Sequence, residues 1–234
     1  MTEPDATLDR LNWADIGMQL DAEGYAVLSG LLDADVARSL AQQTRAPGAS
    51  RVVLEASDLG RGELFCFGAG MPAPLEQWRT AFYRRLVAIT HRWNEALGLD
   101  HRYPAELVDF LHRNQKAGQT RAQSHLSRLG LEDRMSLHQR SDGEQVFPMQ
   151  VVALLSEPDA DFQGGEFVMT EQRPRMQSRP MVLPLKLGDA AIITTAQRPF
   201  KGAKGSYRVN LKHAISRVRK GDRIGLELSF HNAP

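Results

Sequence analysis

After Gly118 the chain changes character, and this change constrains its fold more than any other feature. Apolar residues that recur every three or four positions give way to short runs that alternate, divided by glycine, proline and aspartate. QSHLSRL, MSLHQ, FPMQVVALLS, GGEFVMT, MVLPLKL, AAIITT, SYRVNLKHAI and RIGLELSFH make about eight such runs. Turn signals stand between them at Pro158, Gly164-Gly165, Pro180, Gly188-Asp189, Gly202, Gly205 and Gly221-Asp222. About eight consecutive short strands close most readily as two packed sheets, a jelly roll or β-helix-type barrel.

The first 117 residues read differently. The first ten look like a solvated tail; Trp13, Ile16, Met18 and Leu20 suit a short helix that Gly24 ends, YAVL reads as a strand, and DADVARSLAQQ is a helix with Asp33 as N-cap. Residues 45 to 71, with Pro47, Gly48, Gly60, Gly62, Gly68 and Gly70 among short apolar runs, read as loops with one or two strands bordering a pocket. Pro72 and Pro74 open a long amphipathic helix whose core stripe is Leu75, Trp78, Phe82, Leu86, Ile89, Trp93 and Leu97. Another helix is expected from Pro104 to about Gln115. The expectation is an α+β, mainly β single domain over 1–234, with 1–117 a mostly helical buttress and 118–234 the β core.

Lys+Arg 29 against Asp+Glu 28 leaves a net charge of +1, which gives no global field toward nucleic acid or an anionic membrane. Any anion site must be local. The lone Cys66, in LFCFG, excludes an internal disulfide and reads as an inert thiol in a reducing compartment. The acidic, polar N-terminus has no signal-peptide pattern and no run reaches membrane-spanning length, so a cytoplasmic location is expected.

Two segments carry the chemistry. MSLHQRSDGEQVFPMQ places His138, and YRVNLKHAISRVRKGDRIGLELSFH places His213, each at the end of a β-like run; Arg223 follows His213 by ten residues. Two neutral imidazoles plus a carboxylate on one face make a non-haem Fe(II) site that leaves room for a bidentate 2-oxoacid and dioxygen. A buried guanidinium such as Arg223 is the best partner for the distal carboxylate of 2-oxoglutarate. The bland alternatives are two structural histidines and a surface arginine after the Gly221-Asp222 turn.

The C-terminal half resembles the Fe(II)- and 2-oxoglutarate-dependent oxygenases of the prolyl-hydroxylase-like group, in particular a bacterial branch. The similarity lies in FPMQ (147–150), DFQGGEFVMTEQRPRMQSR (161–179), YRVNLKHAISRVRKGDR (207–223) and the terminal SFHNA. Weaker likeness in LDAEGYAVLSGLLDADVARSL and RWNEAL extends it over most of the chain. The resemblance implies a double-stranded β-helix, Fe(II) and 2-oxoglutarate as cofactors, His138 and His213 as metal ligands and Arg223 on the C5 carboxylate. It implies oxidation of a small molecule or a protein side chain, with decarboxylation of 2-oxoglutarate to succinate. It also implies an Asp two residues after the first histidine, where this chain has Arg140.

An arginine there brings positive charge toward the cation and cannot ligate. Three outcomes stay open. Asp142 or Glu144 supplies a substitute carboxylate; or iron is held by two histidines and the oxoacid, as in halogenating relatives; or the site is degenerate and binds an anion or partner without redox turnover. Gln150 and Gln139 are candidates to face the oxoacid, and His125 is a possible third imidazole or a packed strand residue. Arg140, Arg173 and Arg175 are candidate substrate contacts, though the QRPRMQSRP arginines, Arg179 included, also read as a loop paired with Glu166 or Glu171. Gly164-Gly165 suits a tight turn or bulge. A nucleic-acid repair oxygenase is disfavoured by the neutral charge balance, and no membrane partner is expected.

Overall fold

The structure is a computed structural model and describes residues 4–45, 50–67 and 70–234; the expected turn residues Pro47, Gly48 and Gly68 lie outside these. Helices α1 (Pro4–Asp9) and α2 (Trp13–Glu23) lead into strand β1 (Tyr25–Leu28) and helix α3 (Ala34–Gln42). Strands β2 (Ser50–Val53), β3 (Gly60–Arg61) and β4 (Glu63–Cys66) precede the long helix α4 (Ala73–Ala96) and α5 (Leu107–Lys116). Then follow β5 (His125–Leu129), β6 (Arg134–His138), β7 (Met149–Leu154), β8 (Phe162–Gly164), β9 (Phe167–Gln172) and β10 (Arg179–Leu183). The chain closes with β11 (Ala190–Thr194), β12 (Gln197–Gly202), β13 (Gly205–Ile215), β14 (Val218–Gly221) and β15 (Arg223–Ser229).

The strands form a seven-stranded sheet in the order β1-β11-β7-β15-β5-β4-β2, which faces a sheet in the order β10-β9-β13-β6-β3, with β12 added on β13 and β14-β8 as a separate ribbon. The central strands of the large sheet are covered on both faces, whereas β2 at its edge is exposed. Met149, Val151 and Ala153 of β7, with Ile224, Leu226 and Leu228 of β15, pack into one core with Trp78, Phe82 and Leu86 of α4. Val152 and Leu154 turn the other way, into a second core with Phe167, Met169, Val209 and Leu211 of the smaller sheet. Period-two alternation therefore sorts each strand of the large sheet into a helix-facing set and a barrel-facing set.

The α4 stripe lies as its spacing predicts: Leu75, Trp78, Phe82, Leu86, Ile89 and Trp93 are all buried. All eight expected runs contain strands, and the structure adds β8, β12 and β14 to them. Pro199 hid β12; it stands opposite Arg208 in a strand paired only with β13, where a missing N–H breaks no ladder. The buttress also contributes strands: β1 and β4 extend the large sheet and β3 the smaller one. No described helix is long and apolar enough to cross a membrane.

The solvated tail needs correction. Pro4–Asp9 is helical, Leu8 is fully buried in the α4 core, and its carbonyl accepts a 2.8 Å hydrogen bond from Trp13 Nε1. One apolar residue among polar neighbours was too weak a pattern to read. Replacing Leu8 by Ala should lower stability by about 2–5 kcal/mol in a denaturant titration, as for other buried leucines; a midpoint equal to that of the unaltered protein would restore the tail reading.

Candidate functional site

β6 and β13 lie side by side, antiparallel, with His138 directly opposite His213. Their ring centroids are 4.2 Å apart. His138 Nδ1 is 2.9 Å from the Ser136 carbonyl, to which it donates, leaving Nε2 buried without a partner. His213 Nε2 meets Gln150 Nε2 at 3.2 Å, where the amide donates, and its buried Nδ1 has no partner. Burial, and after it the Arg140 guanidinium, lowers the His138 pKa; burial and then His138 lower that of His213 further. Both rings are neutral at pH 7.

The barrel-facing set of β15 is Arg223, Gly225, Glu227 and Ser229, because Ile224, Leu226 and Leu228 face the helices. Glu227 is the residue that sequence reasoning missed. Its Oε1 accepts a 2.9 Å hydrogen bond from Arg140 Nε, and both side chains are buried. Burial alone would raise the Glu227 pKa, but Arg140, followed by His125, His213 and His138, outweighs it and holds the carboxyl at about 2. His125, opposite Glu227 in register, stands 3.9 Å from Glu227 Oε2. Since His125 Nδ1–H donates to the Gln123 carbonyl at 2.8 Å and burial lowers its pKa, the ring is neutral and this contact is no ion pair. His231 completes the cluster: Nδ1 accepts from Phe147 N at 3.3 Å, and burial, then Arg140, brings it down to about 4.

Arg223 enters the barrel from the start of β15. It is 3% exposed, its Nε donates to the Gly165 carbonyl at 2.7 Å, and burial brings it down to about 10 against the opposing pull of Glu166. Gly165 has φ +63°, and a Cβ there would lie 2.8 Å from Arg223 Cδ, so the carbonyl reaches the guanidinium only because the residue is glycine. Arg223, His125, His213 and Glu227 line a cavity of about 20 Å³, room for one water. Arg223 also walls a cleft of about 220 Å³ with Gly164, Glu166, Leu183 and Leu185.

The structure thus brings His138, His213, Gln150, Arg140 and Arg223 together and leaves other candidates out. Asp142 and Glu144 are exposed, turned away by a loop tied down through Arg140 N to Thr195 O and Gln145 N to Gln119 Oε1. Asp142, expected as a substitute carboxylate, thus lies at the surface, and the carboxylate that the structure places beside the imidazoles is Glu227. Gln139 donates to the Ala196 and Leu211 carbonyls and serves as a tie between strands. Arg173 pairs with buried Glu171 at 2.8 Å and lies 3.9 Å over the Phe200 ring, while Arg175 is exposed on the turn.

The unpartnered His138 Nε2 suits one position of a metal ion, but while His213 Nε2 accepts from Gln150 its Nδ1 carries the ring proton, so a second position opens only if that contact is given up, and the third does not follow. Among the described residues no group of three or more His, Cys, Asp or Glu side chains is placed to hold a metal. Arg140 stands where the carboxylate ligand is implied, and the nearby carboxylate, Glu227, is engaged by Arg140. As arranged, the residues do not fit an Fe(II) triad.

A stability prediction follows from the pair. Glu227→Gln leaves the Arg140 charge buried without its counter-charge and should cost about 3–5 kcal/mol at pH 7. The folded carboxyl lies at about 2, below its ordinary 4.5, so its contribution is present above pH 4.5 and lost as pH falls through 2. The difference between the two proteins in urea titrations should shrink over that window; a difference constant with pH would refute the pairing.

Several known proteins are similar. A sequence model of the Oxygenase-NA family, described as "Oxygenase, catalysing oxidative methylation of damaged DNA", matches residues 62–233. Two Mycobacterium tuberculosis chains from different strains, named as the uncharacterized proteins Rv2227 and MT2286, are each 39% identical over 166 residues, covering 69% of this chain and 71% of theirs. In fold, a prolyl-4-hydroxylase from Pseudomonas putida matches with a TM-score of 0.55 at 12% identity, over 95% of this chain and 99% of that one. An oxidoreductase of the 2OG-Fe(II) oxygenase family from Burkholderia pseudomallei matches at 0.56 and 17% identity, over 96% and 93%. Identities this low speak for the architecture alone, the double-stranded β-helix. The family match, in contrast, spans both imidazoles, Arg140, Arg223 and Glu227, and the chain belongs to this oxygenase family, built on the fold of the 2-oxoglutarate/Fe(II) oxygenases and prolyl hydroxylases.

Proposed function

We propose that this chain is a ligand-binding member of the oxygenase family that does not carry out iron-dependent oxidation. The observation that carries the reading is the buried Arg140–Glu227 pair beside His138 and His213. A guanidinium about 4 Å from a divalent ion opposes its binding by roughly 8 kcal/mol at an effective dielectric of about 20. Glu227 offsets a similar amount, but while its Oε1 stays with Arg140 that oxygen is lost as a ligand. What persists is Arg223 as a site for the carboxylate of an anion.

The sequence suggested a small molecule or a protein side chain as the ligand, whereas the family's description names damaged DNA. We take DNA as the ligand class here, a choice supported by the distribution of charge over the surface.

One observation favours a second reading, 2-oxoglutarate/Fe(II)-dependent hydroxylation: Glu227 shares a cavity with His213 and becomes a third ligand if Arg140 withdraws. The two readings separate in an anaerobic titration with Fe(II) and 2-oxoglutarate that follows the metal-to-oxoacid charge-transfer absorbance. The proposal expects no band in the natural chain and a band in Arg140→Asp that His138→Ala abolishes. A band in the natural chain, lost in Glu227→Gln, would overturn it in favour of the hydroxylase.

A further inference from the structure

The net charge of +1 conceals a local excess. Between Arg173 and Lys212 the sequence carries nine Lys and Arg against a single acid, Asp189. Asp189 is buried and occupied with the Gly30 and Lys186 backbone N–H groups, so it cancels nothing at the surface. Elsewhere many exposed arginines are matched, Arg84, Arg85, Arg92, Arg102 and Arg217 each meeting a carboxylate, and the unmatched ones, Arg10, Arg113, Arg121, Arg134 and Arg219, belong to several different elements and loops. Lys201, Lys204, Arg208 and Lys212 meet none among the described residues.

Strand register gathers these four on one surface. In the β12–β13 hairpin Gln197 stands opposite Asn210, Pro199 opposite Arg208 and Lys201 opposite Ser206. Residues directly opposite share a face, so Lys201, Ser206, Arg208, Asn210 and Lys212 project to one side, all exposed, with Lys204 in the turn. The other side carries Val209 and Leu211 in the core and Arg198, buried and paired with Glu171. That buried pair fixes the hairpin, and Arg198 Nη1 and Nη2 also donate to the Asp21 and Ala22 carbonyls at the end of α2. The cationic face is therefore rigidly mounted.

Its position relates it to the site. His138 is the last residue of β6 and pairs with His213, and Gln172, the last of β9, pairs with Asn210. From there the hairpin runs on past both strand ends to Gly205, roughly 27 Å from His213 at about 3.4 Å per residue. We infer that the outer face of this hairpin docks a DNA strand through its phosphates and leads it toward the end of the barrel where His138 lies. Lysine, arginine and neutral amide and hydroxyl groups without an acid are what a phosphodiester backbone requires, and they read no base sequence. The inference rests on the DNA reading above, but locates the contact outside the barrel, on residues that neither His138 nor Arg223 touches.

The test is fluorescence anisotropy with labelled single-stranded and duplex oligonucleotides, over a range of salt, with neither metal nor oxoacid present. Reversal of the four charges (K201E, K204E, R208E, K212E together) should weaken binding more than roughly tenfold at about 0.1 M salt and flatten the salt dependence by up to about 3.6 in the log–log slope for duplex. The milder Lys/Arg→Gln set should give an intermediate loss, with thermal melts showing both sets folded. A matched reversal at Arg113, Lys116, Lys186 and Lys220, exposed cations off the hairpin, should leave binding near that of the natural chain. Unchanged affinity in both hairpin sets, or an equal loss in the matched control, overturns the hairpin assignment and leaves the DNA reading standing. Absence of binding by the natural chain overturns the DNA reading and the hairpin with it.

Discussion

The central strands of the large sheet are buried on both faces, and the character of the site follows from that constraint. A strand with one wet face can point its polar residues at water; β15 and β7 have none to offer. Whatever polar group sits on the barrel-facing set must find a partner inside the protein. Arg223 finds a carbonyl, Glu227 finds Arg140, and Gln150 finds His213. Helix α4 enforces this from outside by sealing the other face with Trp78, Phe82 and Leu86.

Two buried arginine–carboxylate pairs answer the same demand in different ways. Arg198 and Glu171 have no exposed side-chain surface, and Glu171 takes a second cation, Arg173, so the charges are met, although Arg198 Nε is left without a partner. That pair joins α2, β9 and β12. The Arg140–Glu227 pair also leaves one guanidinium nitrogen bare, Arg140 Nη2, and differs in its surroundings, where His138, His213 and His231 each keep a bare nitrogen and Gln150 a bare oxygen. Unmet polar groups inside a protein are costly, and their concentration at one place marks a binding site more than a structural joint.

Much of this was legible in the sequence because it is written in periods. The switch at Gly118 foretold the barrel, the α4 stripe foretold its backing, and His138, His213 and Arg223 converge as their strand positions implied. Glu227 was hidden for a physical reason: in RIGLELS a glutamate between two leucines reads as the wet side of a half-exposed strand, and only the second covering layer turns it inward. The alternation itself held the clue, since Glu227 is four residues after Arg223 and shares its face. Asp142 misled in the opposite way. Its turn composition allows many conformations, and tertiary ties through Gln119 and Thr195, distant in sequence, select the outward one.

The Gly164-Gly165 corner has a consequence for mutational tolerance. Because the main chain, and not a neighbouring side chain, grips Arg223, ordinary amino-acid replacement around the cleft leaves the anchor intact. Only a change at Gly165 itself, or a shift of the corner by insertion, can release it. The Arg223 end of the cavity is thus held by backbone geometry alone, and tolerates change in the side chains around it without moving the guanidinium.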